Sequence, residues 1–178
     1  MIFSFFMFIK KFTNYYNLII IIQLLKDTIK SHTLMIICQS TTVKFNNKQM
    51  YALVNNITSY PEFIKSCKKS QIHWQTNEFA EVTLHIVKGF FRFKLLTHNY
   101  MIKNKSIVVN LIEGPFKNMT CIWKFIPLNS STSKISLVFD LDSSGSKLAS
   151  TLKVIFDSFM SQILSNFSYR ALAIYSRR

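Results

Sequence analysis

Hydrophobic and polar positions alternate with a period of two through most of the chain after residue 35, and the period lengthens to 3.6 near the C-terminus. Val82, Leu84 and Ile86 share one parity, as do Phe91, Phe93 and Leu95, with Arg92 and Lys94 between them. The same holds for Ile107, Val109 and Leu111, for Cys121, Trp123 and Phe125, and for Ile135, Leu137, Phe139 and Leu141, which are set against Ser136 and Asp140. Parity assigns Ile72 and Trp74 to one face as well. This pattern predicts five or six strands, each with an apolar and a polar side. Lys88-Gly89, Lys103-Asn104-Lys105, Gly114-Pro115 and Asn129-Ser130-Ser131 fall between the strands and predict antiparallel hairpins.

The two ends of this region read as helical. After a short first strand from Ile36 to Phe45, Asn46-Asn47 supplies a cap for a helix carrying Met50, Leu53, Val54 and Ile57 on one face. Tyr60-Pro61 is expected to end or bend it, because a residue before proline is pushed out of the helical region; a second turn is expected around Phe63 and Ile64. After Ser143-Ser144-Gly145-Ser146, an apolar stripe from Leu148 through Leu152, Phe156, Met160, Ile163, Phe167 and Ala171 to Tyr175 predicts one long helix, from about Ser146 to Tyr175. Arg177-Arg178 suits the negative end of its dipole. A strand, a short helical pair, a run of antiparallel strands and a long last helix describe an α+β helix-grip fold, a curved antiparallel sheet wrapped around the C-terminal helix.

Residues 1–34 read differently. Two apolar runs, Met1 to Ile9 and Leu18 to Leu25, are separated by Lys10, Lys11 and Asn14, and neither reaches the ~20 residues of a spanning helix. No small-residue cleavage site follows. The segment is an N-terminal extension set apart from the domain at 35–178, either the product of a start assigned too early, with Met35 the true first residue, or a membrane-surface anchor.

Composition narrows the partners. At 178 residues, 49% hydrophobic with 3 Gly and 3 Pro, the chain suits one folded domain and excludes disorder. Its net charge of +14 predicts attraction to phosphates, whether of nucleic acid or lipid, although Arg is scarce and part of the lysine excess matches an AT-rich coding bias. Cys38, Cys67 and Cys121 form no metal-ligand or disulfide pattern and suit a reducing compartment. The four histidines lack metal-ligand spacing, and no nucleophile elbow, Walker loop or dinucleotide fingerprint occurs. No catalytic group, metal or enzymatic activity is expected. Glu113 is the acid placed to orient a polar head group, with a solvated turn carboxylate as the alternative.

Ser59-Tyr60-Pro61-Glu62-Phe63-Ile64 followed by Cys67, and Leu111-Ile112-Glu113-Gly114-Pro115-Phe116-Lys117 followed by Trp123-Lys124-Phe125 and Pro127-Leu128, resemble two segments of the coenzyme Q-binding START-like family. That family belongs to the polyketide cyclase/dehydrase-like superfamily and also contains the bacterial ribosome-association toxin. Lys65 departs from the family's usual proline, and Cys121-Ile122 from its small pair before the tryptophan. Read alone, Tyr60-Pro61 and Gly114-Pro115 also serve as a helix stop and a hairpin turn. The resemblance implies a non-enzymatic lipid-binding domain with a cavity between sheet and helix, lined by some of Phe63, Trp74, Leu84, Phe93, Leu111, Trp123, Phe156, Met160 and Phe167. Ubiquinone or a related isoprenoid lipid is the expected ligand, in support of respiratory electron transport. Lys65, Lys68 and Lys69, with Lys103 and Lys105, form the basic surface for an anionic membrane or, alternatively, for the large ribosomal subunit, where the protein would block subunit joining. DNA is not an expected partner. The place implied is the cytoplasm, with a peripheral position at the inner membrane in the lipid reading. Because the aromatics mostly alternate inward, base stacking with RNA is not expected. A cyclase-like enzyme ranks last, for want of an acid-base pair.

Overall fold

The computed structural model describes residues 34–142 and 149–176, apart from the side chains of residues 34, 35 and 149–161. The expectations for the N-terminal extension, for Ser143 to Ser146 and for Arg177-Arg178 lie outside the described residues. Seven strands are present: β1 (Leu34–Val43), β2 (Cys67–Gln75), β3 (Phe79–Lys88), β4 (Phe91–Ile102), β5 (Ser106–Glu113), β6 (Asn118–Pro127) and β7 (Ser133–Asp142). All neighbours are antiparallel, in the order β1-β7-β6-β5-β4-β3-β2, so β1 and β2 are the edges of one curved sheet. β1 begins and ends two residues before the expected Ile36 to Phe45.

Between β1 and β2 the chain forms α1 (Asn47–Asn55), a 3₁₀ turn (Ile57–Ser59) and α2 (Tyr60–Phe63). Asn46 caps α1 reciprocally with Gln49: its side-chain oxygen accepts from the Gln49 N–H at 2.9 Å, and its own N–H donates to Gln49 Oε1 at 3.0 Å. The reading of Tyr60-Pro61 as a stop needs correcting. The break comes earlier, at Asn56 (φ −82°, ψ 69°), and Tyr60 is itself helical (φ −54°, ψ −41°). Pro61 sits in the first turn of α2, where its missing N–H costs no hydrogen bond, so proline starts a helix here. The tight β3–β4 and β4–β5 turns place Gly89 (φ 58°) and Asn104 (φ 60°) in the left-handed region that these two residue types tolerate best.

The long helix α3 (Ala149–Tyr175) packs on the inner face of the sheet. Period-two strands bring Val82, Leu95, Ile107, Met119, Trp123, Phe125, Ile135, Leu137 and Leu141 to that face, and α3 adds Ile163, Leu164, Phe167 and Ala171. α1 closes the core with Met50, Leu53 and Val54, and Tyr51 meets Phe125 edge-on at 5.6 Å. Each such side chain contributes roughly 1.5–3 kcal/mol of burial.

The parity rule breaks in β2 and again where β5 pairs with β4, and one of the slips in β2 relocates an expected lining residue. In β2 the pairing with β3 slips between Ile72 and Trp74, so that Ile72 lies opposite Val82 but Trp74 lies opposite Glu81. One extra residue in a strand reverses the faces beyond it. Trp74 therefore points to the outer face, 59% exposed, and packs against Phe79 at 5.2 Å. The expectation that Ile72 and Trp74 share a face, with Trp74 in the cavity, is overturned by this bulge.

Candidate functional site

The segment from Ile57 to Ile64, the inner faces of β3 to β7 and α3 enclose a cavity of about 110 Å³. Leu84, Phe93, Trp123 and Phe167 line it as expected, together with Tyr60. The sequence reading missed Val82, Ile86, Leu95, Met119, Phe139 and Ile163, although all carry the inward parity or the helical stripe that would have found them. It also missed Thr97 and Asn99, polar residues at inward positions of β4 whose side chains hydrogen-bond each other at 3.0 Å. The side chains of Phe156 and Met160 lie outside the described residues.

Two expected lining residues take other places. Phe63 is half-buried and lines a neighbouring cleft of about 310 Å³ with Lys65, Ser66, Lys88, Gln162 and Asn166. Phe63 stands one turn after Tyr60, beside its ring at 6.0 Å, and packs on Phe167 of α3 at the edge of the cavity. Leu111 is a half-buried core residue near the β5–β6 hairpin rather than a lining one. There it explains Gly114, since a Cβ on Gly114 would stand 2.9 Å from Leu111 Cδ1. Phe116 is buried against Phe93, their rings 6.3 Å apart. Glu113 is exposed at the end of β5 and does not line the cavity.

The motif around Tyr60 is a structural hub. Phe167 meets Tyr60 at 5.4 Å, Phe63 at 5.1 Å and Trp123 at 5.1 Å, all edge-on, the favoured arrangement of aromatic pairs. Arg170 lies 5.4 Å over the Phe63 ring and pairs with Glu62, fastening α2 to α3 from outside. The Tyr60 hydroxyl donates to the Val54 carbonyl, satisfying the frayed end of α1.

Burial sets the chemistry of the cavity. It pushes the Tyr60 phenol up, pushes the Cys67 thiol up to about 11 and holds the Cys121 thiol well above its ordinary value. Thiols kept protonated are poor nucleophiles. Lys88 is the one basic side chain on the lining among the described residues, and it also lines the neighbouring cleft. The lining suits a small, neutral, apolar guest. At about 110 Å³ the space is below the ~150 Å³ of an apolar cavity that takes up benzene.

The basic surface divides. Lys65 lines the cleft, while Lys68 and Lys69 lie exposed at the start of β2. Lys103 and Lys105 occupy the β4–β5 turn, at the other end of the sheet, ~30 Å away at 3.3 Å per residue. The two groups stand at opposite ends of the strands.

The sequence model for polyketide cyclase / dehydrase and lipid transport proteins matches residues 43–168, from the end of β1 into α3. The chain belongs to that family. The ribosome association toxin RatA of Escherichia coli (strain K12) is 30% identical over 142 residues, covering 80% of this chain and 90% of the relative. The persistence and stress-resistance toxin PasT of Escherichia coli O6:H1 is 29% identical over the same shares of each chain. Among solved structures, the Zhui aromatase/cyclase from Streptomyces sp. R1128 superposes with a TM-score of 0.74 over 81% of this chain and 98% of its own, at 12% identity. A START superfamily protein from Mycobacterium smegmatis gives a TM-score of 0.69 over 81% and 99%, at 14% identity. At such identities these structures show the START-like fold alone. Among the described residues, no helix is long and apolar enough to cross a membrane.

Proposed function

We propose that this chain is a ribosome-associating protein that binds the large subunit and blocks joining of the small one. The observation that carries this reading is the 30% identity, over 80% of the chain, to a protein named a ribosome association toxin. It reverses the order of preference drawn from the sequence, where the cavity placed ubiquinone first. The net charge of +14 supports it, because each phosphate contact releases counterions. A rigid sheet is a suitable platform, since its side chains are held in place by strand register rather than by loops. The test is co-sedimentation of the full chain with purified large subunits across a salt series. Binding should fall steeply as salt rises; no co-sedimentation at low salt would end the reading.

A second reading rests on the apolar lining of the cavity: the protein also holds a small lipid or the end of a longer one. The polar end of such a guest would face Lys88 and Lys65, where cavity and cleft adjoin. A ubiquinone ring with its isoprenoid tail requires the sheet and α3 to separate. Mass spectrometry of lipid extracted from protein purified from its own host tests this; a quinone at about one per chain would restore the lipid function to first place.

A further inference from the structure

We propose that the outer face of β2, β3 and β4 is a binding surface for unpaired RNA, with aromatic side chains that stack on bases between two sets of cations that hold the backbone. This rests on the ribosome-associating reading and deepens it by naming the contact. At one end of the face the register sets Lys69 opposite His85 and His85 opposite Lys94, a row of basic side chains across three strands, with Arg92 two residues before Lys94 on the same side. Lys69, Lys94 and Arg92 thus gather positive charge at this end of the face, with the His85 ring between the two lysines. Glu81 is the one carboxylate on this face of the three strands among the described residues, and His98 holds it at 3.0 Å.

Toward the other end lies an aromatic group of β3 and β4 that the β2 bulge completes with Trp74. Phe79 stands at its centre, 5.2 Å from Trp74, 5.3 Å from Tyr100 and 5.0 Å from the His98 ring. Trp74 is 59% and Tyr100 47% exposed. Beyond them come Lys103 and Lys105. Cations, aromatics and cations thus succeed one another over ~30 Å of sheet, at 3.3 Å per residue. Single-stranded nucleic acid is bound by this combination, a positive track for phosphates and rings for bases, whereas duplex RNA hides its bases.

The test uses the full chain, a labelled twelve-nucleotide single-stranded RNA, its duplex, and purified large subunits. The wild type should prefer the single strand. Trp74→Ala with Tyr100→Ala should weaken it about 30-fold or more with little change in salt dependence. Lys69→Glu with Lys94→Glu should reduce the salt slope by about two. Both pairs should reduce large-subunit binding, while Lys134→Glu on distant β7 should not. Trp74→Phe, which keeps a ring, should restore single-strand binding and guards against a folding artefact. Full large-subunit binding by both double variants would overturn this surface and leave the ribosomal reading standing. Single-strand binding without large-subunit binding would do the reverse. Equal affinity for duplex, or loss of large-subunit binding by the variants when the wild type binds no free RNA, would overturn the stacking claim and point to a protein contact.

Discussion

The two faces of the sheet are made from the same alternating strands, yet they are governed by different rules. On the inner face nearly every group is apolar or neutralised: Val82, Leu137 and Phe167 are almost fully buried, and burial holds the Tyr60 phenol and the Cys67 and Cys121 thiols in their protonated forms. On the outer face of β2 to β4, Lys69, Arg92 and Lys94 gather around His85 and aromatic rings remain in solvent. The inner face is what stability requires. The outer face carries features that stability does not require, which is where a partner leaves its mark.

Changes on the inner face should therefore cost stability, the largest at the aromatic hub. Phe167→Ala removes the ring shared by Tyr60, Phe63 and Trp123 and should cost about 3–5 kcal/mol in urea unfolding. A loss below about 1 kcal/mol would mean that α3 does not close the core.

The neutral inner groups make a pH prediction. The unfolded Cys67 thiol releases its proton near 9.0, while the folded one keeps it to about 11. Between these values the unfolded chain binds fewer protons, so stability is fully present below pH 9.0 and falls as pH rises through the window to about 11. Thermal unfolding across that range should show the decline, and Cys67→Ala should reduce it, the raised Cys121 thiol and Tyr60 phenol accounting for what remains.

Gly114→Ala sharpens the comparison at the rim. Its new Cβ would stand 2.9 Å from Leu111 Cδ1 and 3.1 Å from Leu95 Cδ2. Both are ends of flexible side chains, so we expect a loss of only about 1 kcal/mol by denaturant midpoint. The smallest effect belongs to the outer face: Lys69→Glu with Lys94→Glu should shift stability by less than about 0.5 kcal/mol per substitution, while removing partner binding. Strong destabilisation there would erase the distinction between the faces.

The strands were legible because inward residues recur at every second position, and α3 because its stripe changes to 3.6 at the end of the sheet. The bulge in β2 was not legible. In the stretch Gln71-Ile72-His73-Trp74-Gln75 the two apolar residues have equal parity, and only pairing with β3 shows that an extra residue intervenes. That single slip moved Trp74 from the expected cavity to the outer face, where it joins Phe79 and Tyr100, so the aromatics alternate inward less uniformly than expected. The separation of Lys68 and Lys69 from Lys103 and Lys105 follows from strand lengths and order, which patterning leaves open. Tyr60-Pro61 misled for a local reason, since proline both ends and begins helices. Phe63 and Leu111 were read as lining because an apolar residue near a cavity and one in the adjoining core have the same signature in sequence.

The central claim is that this chain acts by holding the large ribosomal subunit apart from the small one. The direct measurement incubates large subunits with increasing amounts of the full chain, adds small subunits, and separates the products on a sucrose gradient. The account predicts that joined ribosomes decline as the chain saturates the large subunit, and that Lys69→Glu with Lys94→Glu prevents the decline. Normal joining at saturating concentrations of the folded wild-type chain would contradict it.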